Sequence, residues 1–429
     1  METTSPSNHP ATAATSIPSG YRTLIACLRG AFNGVPPEVP LEPADWPSVF
    51  RQACEQGVDT FLYPWLATRI PERFSATANV SVDSAPAAWR ARFLEALPHT
   101  SLRQRQIADI LAALADAGVD VLVLKGAWLG ATVYDDPVQR TMSDIDLLVR
   151  ATDRDACHAR LLALGYAIRT DTLHNRFAYD QSYVHPAYRE HIELHWHFSS
   201  DMTGGAPVPD IAAIWQKTSP SVCCGQPVRT LAPEDQLAHV VQHMLHHVFA
   251  VPLRVYVDIA LLVRKYGESL TPALLDAAGG RWRTGLGIPF ALGMASELLA
   301  CPLPPALRPY APELAAPRRA QALLALFELP TAQARSGEST LLRFRTSSAL
   351  ARLRLVLGRI FMPRAFLAMR YPCARQAWGL PLAWFCRARD LHRQNRDRMK
   401  AMLTPGTEEE KFFRTAASRA DLTDWLLRG

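Results

Sequence analysis

Apolar residues recur every three or four positions over most of the chain, which is the spacing of amphipathic helices. This pattern predicts an N-terminal helical region over 21–117, interrupted by a proline-rich loop at 36–43. The pattern returns after a Gly- and Pro-rich stretch and predicts a C-terminal helical region over 231–429. Residues 1–20 have no basic segment followed by an apolar one, so we expect a disordered tail there rather than a secretory signal.

The pattern changes between residues 118 and 200, where short β-branched or alternating runs replace the helical spacing. Val119–Leu124 is typical of a buried strand, and Ser143–Arg150 and Glu190–Phe198 alternate polar and apolar residues. Short helical stretches separate these runs, which indicates a small mixed sheet. We therefore predict an α+β fold whose sheet core at 118–200 is embedded between the two helical regions, with 201–230 as a loop linker.

The composition is that of a chain that can bury a core and that is not organised around a membrane helix. Of its 429 residues, 48% are hydrophobic and 20% are charged, which excludes global disorder. The sequence contains no uninterrupted apolar stretch of the roughly 18 residues that a bilayer crossing needs. Its eight cysteines form no Cys-x-x-Cys pair, so we expect free thiols and a cytoplasmic location.

The net charge of +6 is unevenly distributed along the chain. Residues 341–400 are rich in arginine, and their only acidic residues are Asp390 and Asp397. Such a segment can make peripheral contact with an anionic membrane or face a polyanion, and it can equally be an arginine-rich helical surface in water. A nucleic-acid partner is compatible with this charge but has no specific support in the sequence.

The strongest local signal for chemistry is the predicted strand Ser143–Val149, which reads SDIDLLV. Residues two apart in a strand point to the same face, so Asp144 and Asp146 project together from the sheet. Two adjacent carboxylates repel each other and need a compensating cation, and hard oxygen ligands suit Mg²⁺.

Basic residues precede this strand at positions suited to phosphate. Lys125 and Gly126 lie at the end of the preceding strand and the start of a helix, where backbone N–H groups can receive a phosphate. Arg140 lies just before the Asp-x-Asp strand and is placed to meet phosphate oxygens. An ordinary strand-to-helix turn is the alternative for Lys125 and Gly126.

A second polar strand face is predicted at His191–His197, which reads HIELHWH. Strand alternation puts Glu193 and its flanking histidines on one face. Beside Asp144 and Asp146, Glu193 would be a third carboxylate, and such a set can hold two metal ions about 3.5–4 Å apart for an in-line phosphoryl displacement. Glu193 can also take a proton from an acceptor hydroxyl. A solvent-facing edge strand is the alternative.

Several segments resemble a known family in the same order along the chain. The matches are Lys125-Gly126, Tyr134, Arg140, Ser143–Val149, Gly165-Tyr166 and Glu193–Trp196, and they continue into Leu231–Asp235, His243, His247 and Asp258 and more loosely into the arginine-rich C-terminal helices. Together they resemble the uncharacterised bacterial nucleotidyltransferase family within the DNA polymerase β-like superfamily. The resemblance extends from about Tyr21 to Arg398.

The resemblance implies an enzyme that moves a nucleoside monophosphate from an NTP, expected to be ATP, to an acceptor with release of pyrophosphate. It implies that Asp144, Asp146 and Glu193 are catalytic and bind Mg²⁺, of which we expect two ions. The residues expected to hold the triphosphate are Lys125, Gly126, Arg140 and Ser143. The acceptor is not specified and can be a small molecule, a peptide or a protein.

Histidines on the predicted helix after the linker leave another interpretation open. They form a stripe of His239, His243, His246 and His247. An H-x-x-x-H pair can bind zinc, so a zinc-dependent hydrolase is an alternative, although no zinc hydrolase signature is complete. The histidines can also simply pack against the site, or His243 and His247 can line the nucleotide cleft with Asp258.

The phosphate loop leaves a further alternative open. It reads Lys125-Gly126-Ala127, whereas superfamily members usually carry Gly-Gly or Gly-Ser there. A nucleotide-binding scaffold protein without turnover is therefore also compatible with the sequence.

Overall fold

A computed structural model of the chain describes most of its residues. The described residues are 17, 19–36, 45–74, 81, 84–169, 179–198, 208–247, 249, 251–311, 316–327, 353, 356–358, 360–362, 364, 367–368, 371–402, 418–419 and 421–427. Nearly all of the predicted tail at 1–20 lies outside them, as does most of the basic segment 341–400 before residue 371.

The described part of the N-terminal region contains five helices. They are α1 (Ser19–Asn33), α2 (Trp46–Glu55), α3 (Asp59–Arg69), α4 (Pro71–Phe74) and α5 (Ala85–Ala115). The long helix α5 begins after Ser84, whose side chain accepts a hydrogen bond from the Ala87 amide at 3.3 Å and so satisfies a free N–H of the first turn. Its Gln106 side chain donates to the Glu190 carbonyl at 3.1 Å, which ties the helix to the sheet.

The central region alternates strands and helices. In chain order it contains β1 (Leu122–Val123), α6 (Lys125–Thr132), β2 (Asp144–Leu148), α7 (Arg154–Ala163), β3 (Ala167–Ile168), β4 (Asp180–Val184), β5 (His191–His195), α8 (Ile211–Gln216), β6 (Ser219–Cys223) and β7 (Gln226–Thr230). The strands form one sheet in the order β3-β4-β5-β2-β1-β7-β6. The β2–β5 and β1–β7 pairs are parallel and the other pairs are antiparallel, so the sheet is mixed, as predicted.

The segment 201–230 differs from the loop linker that we expected. Its described part contains α8 and the hairpin β6–β7, and β7 joins the sheet beside β1 through the Leu122–Arg229 pair. The two-residue turn is formed by Cys224 and Gly225, both with positive φ (49° and 78°), as two-residue hairpin turns require. Pro220 lies on the edge strand β6, where a missing N–H is tolerated.

The C-terminal region is helical, as predicted. Its helices are α9 (Pro233–His246), α10 (Leu253–Tyr266), α11 (Pro272–Trp282), α12 (Gly287–Leu299), α13 (Ala316–Phe327) and α14 (Leu380–Met402). One continuous hydrophobic core joins Leu24 of α1, Ile145 of β2 and Leu298 of α12. The α+β prediction, with a small mixed sheet between two helical regions, is therefore confirmed, and the sheet shares its core with both regions.

Two sequence-based expectations, about the cysteines and about membrane-spanning helices, can be compared with the structure. All eight cysteines are free, as their spacing predicted. No helix in the described part of the chain has both the length and the apolar character that a membrane crossing requires.

Candidate active site

The candidate site lies on one face of the central strand pair β2–β5. The two strands are parallel, and their register places Asp144 opposite His191 and Asp146 opposite Glu193. Strand alternation turns the intervening apolar residues into the core, and this fixes the polar residues on the other face. The three predicted carboxylates therefore converge, as the sequence led us to expect.

The polar side chains of this face form two groups that are suited to a metal ion. Asp144, His191 and Glu193 form an outer, partly exposed group, and Asp146, Glu193 and His195 form an inner group in which Asp146 and His195 are buried. Within each group, one ligand atom from each residue lies within 4.8 Å of the others. Carboxylate oxygens with a neighbouring imidazole are a donor set that fits a divalent cation, and Glu193 belongs to both groups.

Lys125 contacts the inner group directly. It follows β1 as the first residue of α6, and its Nζ lies 2.7 Å from Asp146 Oδ1. The Leu124 amide donates to the Asp146 carbonyl at 3.0 Å, so the backbone of the turn is held by the same residue. Lys125 has a φ of 45°, in the left-handed region that non-glycine residues rarely adopt.

The electrostatics of the carboxylates differ between the two groups. Burial and the neighbouring Asp146 raise the pKa of Asp144 above its usual value. Burial would raise the pKa of Asp146 too, but the Lys125 ammonium and the hydrogen bond from His195 outweigh it and lower that pKa. Asp146 is thus a stably charged carboxylate with fixed partners.

Two histidines that the sequence placed beside Glu193 hold the carboxylates in position. His195 Nε2 lies 3.0 Å from Asp146 Oδ1, and His191 Nε2 lies 3.3 Å from Glu193 Oε1. The second hydrogen bond lowers the pKa of Glu193 against the effect of burial and raises that of His191. We did not assign either histidine to the site from the sequence, although strand alternation already put both on its face.

Arg140 does not lie where we expected a phosphate-binding arginine. Its side chain is buried, and its guanidinium donates to both carboxylate oxygens of Asp258 on α10, at 2.7 and 2.8 Å. A third hydrogen bond, at 2.6 Å, runs from Nη1 to the carbonyl of Thr141. The reason is the buried Asp258 charge, which requires a partner in the interior. Asp258 is therefore buried in this pair and does not line a cleft.

Gly126 and Ser143 flank the carboxylates from two sides. A Cβ atom on Gly126 would lie 3.2 Å from Arg140 Nη1 and 3.3 Å from Met142 Cβ, so a larger residue would need these neighbours to shift slightly. Ser143 directly precedes Asp144, and its hydroxyl lies 3.4 Å from Asp144 Oδ1. Both residues thus contact or adjoin the candidate site, as predicted, whereas Arg140 is turned away to Asp258.

A cleft of about 230 Å³ opens beside Ser143. Helix α5 forms one wall with Ala96, Thr100 and Arg103, and Glu190 forms another just before β5. Arg103 and Glu190 make a buried ion pair at 3.5 Å in this wall. The cleft is polar and reaches the end of β2 at which Asp144 lies.

The histidine stripe on α9 does not form a metal site among the described residues. The groups there that can share an ion are the two on β2 and β5, and neither includes His239, His243 or His247. His239 is buried against Phe198 and Trp282, with ring centroids 5.1 and 5.0 Å away, and burial lowers its pKa to about 3. This arrangement fits histidines that pack against the site. It does not provide the set of zinc ligands that a zinc hydrolase would need.

Comparison with solved structures gives two partial matches, both to the antibiotic-resistance factor ANT(2'')-Ia. The first is its solution structure, at 17% identity and a TM-score of 0.32, over 43% of this chain and 94% of that one. The second is its crystal structure in complex with adenylyl-2''-tobramycin, at 18% identity and a TM-score of 0.30, over 42% of this chain and 99% of that one. Likeness at this level supports no inference about this chain.

The comparison with protein families is decisive. No curated protein matches the sequence significantly. The model of a family described as uncharacterised nucleotidyltransferases, however, matches residues 42–300, which is more than half of the chain and includes every residue of the candidate site. The chain therefore belongs to this nucleotidyltransferase family, as the motif resemblance predicted, and is an enzyme of nucleotidyl transfer.

Proposed function

We propose that this enzyme transfers a nucleoside monophosphate from an NTP, with ATP as the expected donor, to an acceptor and releases pyrophosphate in a Mg²⁺-dependent reaction. The observation that carries the proposal is the convergence of Asp144, Asp146 and Glu193 on adjacent parallel strands. Three carboxylates and two imidazoles fit a divalent cation by their donor chemistry.

Asp144, Asp146 and Glu193 are the proposed ligands of the cation. When bound, Mg²⁺ would supply positive charge to the phosphate oxygens and act as a Lewis acid at the reacting phosphorus. The hydrogen bonds from His191 and His195 keep Glu193 and Asp146 charged and oriented, which is the condition for both to act as ligands.

The turn at Lys125 and Gly126 is the proposed contact for the triphosphate. Free amide groups at the start of α6 point away from the helix, and the positive end of the helix dipole favours an anion there. Ser143 adjoins the same region through Asp144. For Arg140 we propose a supporting role, in which its pair with Asp258 fixes the segment that leads into β2.

Glu193 is the proposed base. Because its pKa is lowered, the carboxylate is charged at neutral pH and can accept the proton of an acceptor hydroxyl. The acceptor oxygen then forms a bond to the α-phosphorus, the bond between that phosphorus and the bridging oxygen breaks, and the bridging oxygen leaves with pyrophosphate. The cleft beside Ser143 is the proposed place for the acceptor, because Ser143 directly precedes Asp144 and charged and polar groups form part of its lining.

The acceptor class stays open between a small molecule, a peptide and a protein. A peripheral membrane contact through residues 341–400 is compatible with their charge and concerns a segment that the described residues cover only in part. The eight free cysteines support the proposal of a reducing, cytoplasmic environment.

The test is a labelling experiment with cell extract. Purified enzyme, Mg²⁺ and extract are incubated with each NTP carrying the label on either the α- or the γ-phosphate. Nucleotidyl transfer labels an acceptor from the α-phosphate and releases the γ-label in pyrophosphate. Labelling from the γ-phosphate would indicate phosphoryl transfer, and NTP binding without pyrophosphate release would indicate a nucleotide-binding scaffold.

Variants connect this activity to the proposed residues. Asp144→Asn and Asp146→Asn each remove a ligand charge while preserving shape, so both are expected to abolish α-label transfer. Asp155→Asn on α7 is the matched control, because its side chain is 87% exposed and makes only a local pair with Arg154. Unchanged transfer by the two site variants would contradict the proposed site.

A further inference from the structure

Lys125 occupies a position within the carboxylate cluster that a cation would otherwise take. Its Nζ lies 2.7 Å from Asp146 Oδ1, and His195 Nε2 lies 3.0 Å from the same oxygen. One carboxylate oxygen therefore already has two hydrogen-bond donors, which is its usual capacity. The chain's own ammonium therefore already occupies one oxygen of the inner group.

The outer group differs from the inner one in both access and charge. Asp144, His191 and Glu193 are all partly exposed, whereas Asp146 and His195 are buried. Within the described part of the chain, Asp144 makes no ion pair, and its hydroxyl neighbour Ser143 is 3.4 Å away. Asp144 is repelled by Asp146 and Glu193, and the Lys125 and His191 charges offset this repulsion only in part, which favours a cation at the outer group.

The charge balance of the cluster also favours a single cation at the outer group. Asp144, Asp146 and Glu193 carry three negative charges, and the Lys125 ammonium neutralises one of them. One divalent cation neutralises the remainder, whereas a second would leave the cluster with excess positive charge before any phosphate arrives. Mutual repulsion between an ammonium and two divalent ions at such short range is unfavourable.

The backbone of Lys125 supports a specific role for its side chain. A φ of 45° is unfavourable for a non-glycine residue, whereas a glycine adopts it freely. Backbone strain of this kind is characteristic of functional positions. The ammonium is also firmly anchored, since the Leu124 amide binds the carbonyl of the same Asp146 that the side chain contacts.

We propose that Lys125 replaces one of the two metal ions, so that the site binds a single divalent cation at Asp144, His191 and Glu193 while the ammonium supplies the positive charge at Asp146. This inference rests on the function proposed above and narrows its expectation of two ions to one. It also assigns the lysine in the unusual phosphate loop a role in the charge balance of the site.

The experiment counts Mn²⁺ ions bound to the full chain, by titration calorimetry and by the electron paramagnetic resonance spectrum. The wild type is expected to bind one ion per chain. Lys125→Met removes the ammonium at similar length, and Lys125→Gly removes it and relieves the φ, so that a folding defect in one variant does not decide the result. Both are expected to bind two ions with the spectrum of a coupled pair, and the control Lys125→Arg is expected to bind one.

The outcomes separate this inference from the proposed function. Two ions in the wild type, or a single ion in both the Lys125→Met and Lys125→Gly variants, would overturn the role of Lys125 while leaving the metal-dependent site in place. A wild type that binds no ion, with Asp144→Asn indistinguishable from it, would overturn both proposals together.

Discussion

The guanidinium of Arg140 and the carboxylate of Asp258 form a buried two-point ion pair, with Nε 2.7 Å from Oδ1 and Nη2 2.8 Å from Oδ2. The Tyr134 hydroxyl donates to the same carboxylate at 2.7 Å. Arg254, one turn earlier on α10, donates to the Thr141 carbonyl at 3.0 Å. Helix α10 therefore holds the segment between α6 and β2, although it contributes no side chain to the carboxylate cluster.

Removing Asp258 is expected to destabilise the protein strongly. Asp258→Ala leaves the Arg140 charge buried without its partner, and the loss of one member of a buried pair costs about 3–5 kcal/mol. Denaturation by guanidinium chloride measures the loss. The control is Asp276→Ala, which removes an exposed carboxylate bonded to the Tyr310 hydroxyl and should cost less than about 1 kcal/mol. An equal decrease in the free energy of unfolding in both variants would show that the buried pair stabilises the protein no more than the exposed hydrogen bond does.

Adding a methyl group at Gly126 is expected to disturb the site itself. In Gly126→Ala the new Cβ would press on Arg140 and Met142 at 3.2 and 3.3 Å, and we expect transfer to fall about tenfold because the residues leading into β2 must shift. Gly280→Ala is the matched control, since no atom lies within 4 Å of its new Cβ. Transfer rates of both variants are compared at saturating NTP. Full activity in Gly126→Ala would mean that the close packing of Gly126 against Arg140 and Met142 is not needed for transfer.

The stability of the protein is expected to fall with pH through the titration of His239. Burial lowers its pKa to about 3 in the folded protein, whereas the unfolded chain takes up the proton near 6.5. Between these values the unfolded state binds more protons, so the free energy of unfolding decreases as the pH falls, by about 1.4 kcal/mol per pH unit at most from this group.

His239→Phe isolates this contribution, because it keeps a ring against Phe198 and Trp282 and cannot titrate. Urea denaturation between pH 6 and 4 should give a shallower pH dependence in this variant than in the wild type. If the free energy of unfolding depends on pH equally in the wild type and in His239→Phe, His239 is not a buried neutral histidine.

The cleft beside Ser143 can be tested by filling it. Ala96 lines the cleft from α5, and Ala96→Trp should slow transfer at least severalfold while metal-dependent NTP binding stays intact, because the acceptor and not the nucleotide is excluded. Leu97→Trp, one residue along and 38% exposed, is the control. If the variant instead loses NTP affinity and keeps its transfer rate at saturation, the cleft belongs to the nucleotide.

The local half of the site could be predicted from the sequence. Asp144 and Asp146 share a face because strands alternate, and Glu193 shares one with its flanking histidines for the same reason. The lysine and glycine at the start of α6 follow from the strand-to-helix change. These features depend on the two-residue alternation of side chains in strands and on the signals for helix boundaries, both of which can be recognised in a single sequence.

The non-local half could not be predicted. The pairing of Asp146 with Glu193 joins residues 47 positions apart in sequence, and the partner of Arg140 lies 118 residues away. The sequence does not show that Asp258 pairs with Arg140, so Arg140 was wrongly expected to contact the phosphates. The hairpin β6–β7 joins the sheet through the pairing of Leu122 with Arg229, which is a long-range contact that the local pattern does not show.

The central claim is that the carboxylate cluster of β2 and β5 binds a divalent cation beneath the nucleotide. Its most direct test is a crystal of the wild-type chain with Mn²⁺ and a non-hydrolysable NTP analogue, measured at a wavelength where manganese scatters anomalously. The account predicts an anomalous peak within coordination distance of Asp144 and Glu193, with the analogue's phosphates next to it and near the start of α6. Manganese bound instead at His243 and His247, or phosphates bound away from β2 and β5, would contradict it.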